Sequence, residues 1–307
     1  MIKIRKGDII MTNNPIFRGV ATAIITPMTE QCEVDYEAFE RLIEWQIAEG
    51  INAIVVCGTT GESSTLTDDE HKAVIKFAVE KVAGRIPVIA GTGSNETAYA
   101  IELTRHACEV GADAVLVVTP YYNKATQNGL VAHYTAIADA STVPVIIYNV
   151  PSRTGLNILP ATYAKMMNHP RLQAIKEANS NIVSVVETAA LIGNNMDIYS
   201  GNDDQIVPLM SMGGQGVISV LSNVMPAKTV EICDRFFRGD IAGAAQLQCE
   251  MMPLIKALFS EVNPIPVRAA MAKMGYGANA LRLPLTPMEP EHQEVLFAEM
   301  RRQGVID

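Results

Sequence analysis

Residues 53–63 read Ala53-Ile54-Val55-Val56-Cys57-Gly58-Thr59-Thr60-Gly61-Glu62-Ser63. The first half is apolar without alternation, which is how a strand covered on both faces of a parallel sheet reads. The second half breaks that run with two glycines and two threonines. Four residues on, Thr67-x-x-Glu70 forms a capping box, followed by Val74, Ile75, Ala78, Val79 and Val82 at helical spacing and Gly84 as a stop. The unit is strand, polar turn, helix.

The same unit recurs in both directions. Upstream, residues 19–26 form an apolar run, and Asp35 caps a helix whose buried stripe is Tyr36, Phe39, Leu42, Ile43 and Ile47, ending at Gly50. Downstream, further β-branched runs fall at 86–91, 114–119, 143–148, 172–176, 197–201 and 216–220, with a helix predicted over 95–110 that stops at Gly111. Eight such units over about 200 to 250 residues match the size of a (β/α)8 TIM barrel. The competing fold, a doubly wound sheet, would carry G-x-G-x-x-G after its first strand, and Gly91-Thr-Gly93 is only a fragment of that pattern. Beyond Val220 the strand signal ends, and helix follows helix with breaks at Gly239, Pro264, Pro266, Gly275 and across 284–290. The sequence therefore divides into an N-terminal extension (1–14), an α/β barrel (15–239) and a C-terminal helical domain (240–307).

Composition sets the outer limits. The chain has 307 residues, 49% of them hydrophobic, and a formal net charge of −9. No Lys/Arg-rich run offsets that charge, so a nucleic-acid surface is not expected. The longest apolar runs fall short of the roughly 18 residues of a membrane span, so the apolar fraction implies a large core. The start at Met1 is basic but lacks the apolar stretch of a secretory signal, and Met11 is an alternative start. Five widely spaced cysteines with no CxxC favour neither disulfides nor a thiolate metal site and point to a reduced, cytoplasmic home.

In a barrel of this kind, chemistry sits where the strands end, so the residues closing each run are the candidates. Lys176 alone among the 11 lysines falls within a predicted strand. Desolvation there disfavours the ammonium and frees an amine able to form a Schiff base with a ketone, unless the lysine pairs with Glu62 or Glu177. Tyr148 closes the preceding strand and can move protons in the same cavity. Tyr121 and Tyr122 bring further phenols, although adjacent tyrosines also suit a subunit interface. Thr59 and Thr60 offer hydroxyls and backbone N–H groups to a small carboxylate, and Arg153 offers a fork to a second one. The five histidines form no close ligand pair, and His71, within Asp-Asp-Glu-His, reads as helix surface. Asp203 and Asp204 read as the N-terminal cap of the apolar helix that follows. No metal or cofactor is called for.

Taken together, eight motifs resemble the dihydrodipicolinate synthase family of the pyruvate-dependent class I aldolases. They are Gly58-Thr-Thr-Gly-Glu-Ser63, Val88-Ile-Ala-Gly-Thr-Gly93, Thr119-Pro-Tyr-Tyr-Asn123, Tyr148-Asn-Val-Pro-Ser-Arg-Thr-Gly155, Ile175-Lys-Glu-Ala178, Tyr199-Ser-Gly-Asn-Asp-Asp204, Gly216-Val-Ile-Ser219 and Asn263-Pro-Ile-Pro-Val267. The resemblance implies a synthase that condenses pyruvate with L-aspartate 4-semialdehyde to give 4-hydroxy-tetrahydrodipicolinate, on the diaminopimelate route to lysine. It implies that Lys176 forms the Schiff base and that Tyr148, Thr59 and Tyr122 relay protons, Tyr122 coming from a neighbouring subunit. Thr60 would hold the pyruvate carboxylate and Arg153 that of the aldehyde, with Gly201 and the Ile218 backbone also binding substrate. A homotetramer built as a dimer of dimers is implied as well.

The lysine-binding regulatory site of such enzymes is matched here by Ser63, His71, Asn95 and Tyr121. Asp68 and Tyr99 depart from it, standing where sensitive members have a histidine and a glutamate, so weak or absent lysine feedback is expected. Two alternatives remain at this stage: a related aldolase or dehydratase acting on a keto-deoxy sugar acid, and an inert keto-acid-binding barrel acting as a sensor.

Overall fold

The computed structural model describes residues 15–307, and the expectations for residues 1–14 and for the choice of start codon lie outside them. Eight parallel strands close into a barrel in sequence order, β1 (Gly19–Ala23), β2 (Ala53–Val56), β3 (Val88–Gly91), β4 (Ala114–Val118), β5 (Val145–Asn149), β6 (Leu172–Glu177), β7 (Asp197–Ser200) and β8 (Gly216–Ser219), with β8 pairing back onto β1. Each run foreseen in the sequence yields one strand, trimmed by up to three residues at an end, except that β5 and β6 run one residue further than foreseen, to Asn149 and Glu177. The trimmed residues enter the loops at the barrel mouth or lead into the strand.

The seam where the barrel closes is made by two glycines. Gly19 and Gly216 are direct partners, with φ of +110° and +143°. A Cβ on Gly216 would stand 1.8 Å from the Gly19 carbonyl oxygen. Only a bare backbone in this left-handed region lets the first and last strands come together.

Alternation along the strands sorts side chains into two cores. Ala21, Ala23, Ala53, Val55, Ile89, Ala114, Leu116, Ile146, Ala174, Tyr199 and Ile218 fill the barrel interior, where Phe17 stacks on Tyr199 at 4.2 Å between ring centroids. The opposite parity packs outward against α1 (Tyr36–Ala48), α2 (Asp68–Val82), α3 (Thr97–Glu109), α4 (Gln127–Ala140), α5 (Pro151–Thr154), α6 (Pro160–Met166), α7 (Ile182–Ile192), α8 (Ile206–Met210) and α9 (Pro226–Phe237). Both halves of the predicted capping box form: the Thr67 hydroxyl accepts from Glu70 N and the Glu70 carboxylate from Thr67 N. The helix stops one residue earlier than the glycine implied, with Ala83 itself left-handed at φ +51°.

Three helices follow the barrel: α10 (Ile241–Leu258), α11 (Ile265–Lys273) and α12 (Pro290–Arg302). Gly239 ends α9, Pro264 caps α11 and Gly275 follows it, as the predicted breaks require. No helix among the described residues is long and apolar enough to cross a membrane.

Candidate active site at the barrel mouth

Ala174 and Lys176 share one parity of β6, and since Ala174 lies in the interior core, Lys176 points inward near the top of the barrel. Tyr148 is its direct neighbour on β5. The Lys176 ammonium lies over the Tyr148 ring at 4.3 Å from the centroid. Only 6% of Lys176 is exposed. Burial is the main force on its pKa and pulls it down to about 7, Arg153 pushing the same way and Asp203 opposing. None of the ion pairs among the described residues involves Lys176. Glu62 pairs with Arg268, and Glu177 accepts from Asn149, Asn179 and Tyr163, so the two carboxylates that could have quenched the lysine are both engaged elsewhere.

Lys176 lies at the floor of a cavity of about 160 Å³. The sequence candidates Thr59, Thr60, Tyr148, Arg153 and Gly201 line it together with Lys176. Burial raises the pKa of the Tyr148 phenol, while Arg153 and the Thr59 side chain pull it down. Arg153 sits on the short helix α5 at the mouth, and its Nη2 donates to the Asn263 carbonyl at 3.2 Å. Ile218 packs in the barrel interior below and is not part of this lining. Tyr122 is also absent from it, 90% exposed and with φ +69°.

Above this cavity a larger chamber of about 660 Å³ is bounded by α10, and Ser152, Ala178, Asn202 and Phe259 line both. Lys256 is its one basic residue, a local positive feature beyond Arg153 and the threonine turn. Asn263, which in the sequence only opens a motif and has no role assigned there, donates from Nδ2 to Thr60 Oγ1 at 3.1 Å. Both residues come from the helical segment after the barrel, where no strand end points to a role.

Asp203 overturns one sequence reading. It caps no helix of its own, and neither it nor Asp204 caps α8. Its buried carboxylate accepts from Val220 N (3.0 Å) and Leu221 N (2.9 Å), tying the loop after β7 to the end of β8. Burial raises its pKa, with Lys176 among the groups that lower it.

The four residues matched to a regulatory site are placed unevenly. His71 is buried, not on the helix surface, and its Nε2 bonds the Gly91 carbonyl at 2.7 Å, burial lowering its pKa. The Asn95 carbonyl accepts from Asn123, Ser63 N bonds the Gly58 carbonyl, and Tyr121 is partly exposed. The two departing residues bond each other: Tyr99 donates its phenol proton to Asp68 Oδ1 at 3.0 Å, and Lys72 bridges Asp68 (2.7 Å) and Glu102 (2.6 Å). A carboxylate is thus present there, already neutralised by the chain's own lysine.

Comparison with known proteins follows the same line. The sequence profile of the dihydrodipicolinate synthetase family matches residues 16–303. The 4-hydroxy-tetrahydrodipicolinate synthase of Lachnoclostridium phytofermentans is 55% identical over 292 residues, 95% of this chain and 99% of that protein. The synthase of the same name from Thermoanaerobacter sp. (strain X514) is 53% identical over 293 residues, 95% of this chain and 98% of that protein. The crystal structure of dihydrodipicolinate synthase from Thermotoga maritima matches with a TM-score of 0.93 at 44% identity, over 95% of this chain and all of that one.

Proposed function

The chain belongs to the dihydrodipicolinate synthetase family, and on that premise we propose that the residues at its barrel mouth carry out the family's condensation with Lys176 as nucleophile. The protein is a class I aldolase-type lyase that condenses pyruvate with L-aspartate 4-semialdehyde to give 4-hydroxy-tetrahydrodipicolinate, in lysine and diaminopimelate biosynthesis. Sugar-acid aldolase and sensor readings are not favoured by relatives of this identity.

The observation that carries the assignment of residues is the desolvated amine of Lys176, poised near neutral pH beside Tyr148. The amine attacks the pyruvate ketone and water leaves, giving an iminium. That cation draws electrons from the pyruvate methyl group, which loses a proton to become an enamine. The enamine carbon attacks the aldehyde of the second substrate. The second substrate's own amine then adds to the imine carbon and displaces Lys176, which closes the ring and frees the enzyme.

Each transfer of a proton falls to Tyr148, supported by Thr59. Thr60 holds the carboxylate of pyruvate and Gly201 borders the same cavity, with Ile218 packed in the barrel interior beneath it. Arg153 holds the carboxylate of the aldehyde, supplying the positive charge that two anions need in an acidic protein.

Tyr122 completes the relay in a neighbouring copy, in keeping with its exposure and with its absence from its own cavity. A dimer is then the least functional unit. A tetramer is supported by a second exposed apolar face, Ile182, Val183, Val186 and Leu191 on α7. Residues 15–239 and 240–307 are assigned as barrel and helical domain, and the five free cysteines suit the cytoplasm.

Borohydride reduction with pyruvate, followed by peptide mass analysis, tests the assignment. The expected result is a reduced pyruvyl adduct on Lys176; an unmodified Lys176 peptide from active protein would refute it.

A further inference from the structure

The turn that carries Thr59 and Thr60 does not hold itself. Glu62, two residues past Thr60, has φ +58°, a left-handed conformation that a non-glycine residue seldom adopts. Its side chain turns inward and is 2% exposed, paired with Arg268 of α11, which is fully buried. The same Arg268 Nη2 donates to the Thr26 carbonyl at 2.6 Å. Thr26 in turn donates its hydroxyl proton to the Gly61 carbonyl at 2.8 Å. On the other side of the turn, Asn263, immediately before α11, donates to Thr60 Oγ1. Neither Glu62 nor Arg268 lines the cavity.

We infer that the buried Glu62–Arg268 pair is a positioning device for the pyruvate carboxylate site, through which α11 sets where the Thr59-Thr60 turn stands relative to Lys176. The inference rests on the assignment of Thr60 to that carboxylate. Stability does not account for the pair. Two charges taken out of water recover their desolvation cost only with full hydrogen bonding, and similar-sized apolar residues often do as well. Arg268 Nε and Nη1 and Glu62 Oε2 have no protein partner among the described residues. What the pair provides is geometry: a planar guanidinium reaching both the loop after β1 and the turn after β2 fixes one against the other. Effective orientation falls steeply with misplacements near 1 Å, so the effect belongs on substrate capture.

The experiment compares Glu62→Gln and the double variant Glu62→Leu/Arg268→Met with the unmodified protein. Steady-state KM is measured for each substrate, with thermal midpoints and borohydride trapping alongside. The expected result is a KM for pyruvate raised between about tenfold and 100-fold in both variants, with KM for the aldehyde within about twofold. The apolar double variant is expected to melt near the unmodified protein, separating position from stability, and to form the Lys176 adduct at saturating pyruvate. An unchanged KM for pyruvate in the folded double variant overturns the inference, as does an equal rise for both substrates. If the unmodified protein itself forms no adduct, the assignment of Lys176 has failed and this inference falls with it; an adduct with unchanged KM sinks the inference alone.

Discussion

Lys176 and Glu177 are adjacent on β6, both buried, and both pushed to about 7 from opposite sides. Desolvation does this in each case, since it disfavours the charged form of either group. For catalysis the neutral amine is needed, so kcat/KM for pyruvate is expected to fall about tenfold per pH unit below 7. A profile that stays flat from pH 8 to pH 5.5 would contradict the assigned nucleophile, as would a Lys176→Ala variant with full turnover. For stability Glu177 matters differently. Its folded pKa lies above the unfolded value of 4.5, so its contribution is complete below 4.5 and is lost as pH rises through 7. Glu177→Gln keeps the acceptor for Asn149 and Asn179 without a charge to bury. The variant is expected to melt like the unmodified protein at pH 5 and higher by about 2 to 4 °C at pH 8, as differential scanning calorimetry would show.

At the scale of elements, α2 is held at its start by the capping box and by Arg282, whose Nη1 and Nη2 reach the two Glu70 oxygens at 2.6 Å each. That pairing, the largest influence on it, draws the Glu70 pKa down to about 2. Its stabilisation is therefore present above 4.5 and lost as pH falls toward 2. Glu70→Gln is expected to melt below the unmodified protein at pH 7, the gap narrowing as pH falls from 4.5 toward 2. Thr67→Ala is expected to cost about 1 kcal/mol in urea unfolding. Between α2 and α3, Asp68 already holds Lys72 and the Tyr99 phenol. An added lysine would have to displace that bond, so sub-millimolar lysine is not expected to halve turnover, and an inhibition curve decides it. The capping box was legible because its residues are three apart, and the inward turn of Lys176 because strand parity is local. His71 was misread for the converse reason: its partner, the Gly91 carbonyl, lies on another element, and nothing in Asp-Asp-Glu-His announces it. Contacts such as Asn263 to Thr60, 203 residues apart, follow from closing the barrel and packing α11 over its mouth, and no sequence period encodes them.

For the whole molecule, the question is whether one chain contains one complete site. Lys176, Tyr148, Thr59, Thr60 and Arg153 meet in a single cavity, whereas Tyr122 stands 90% exposed outside it. Holding a large phenol in a left-handed backbone conformation and in water benefits a monomer in no evident way. It makes sense if the ring enters a neighbouring copy, and the two-fold symmetry of a dimer then makes the exchange mutual. Mixing inactive variants tests this directly. In a dimer of a Lys176→Ala chain with a Tyr122→Phe chain, one site has two defects and the other has none, because its lysine and its visiting tyrosine come from different chains. Dissociated and re-associated equal mixtures should therefore recover roughly a quarter of unmodified activity, half the dimers being mixed and each having one intact site. If Tyr122 acted within its own chain, every site would keep one defect and mixing would restore nothing. The recovered activity, set against the mass of the re-formed species by sedimentation, thus reports whether the reaction belongs to the chain or to the assembly.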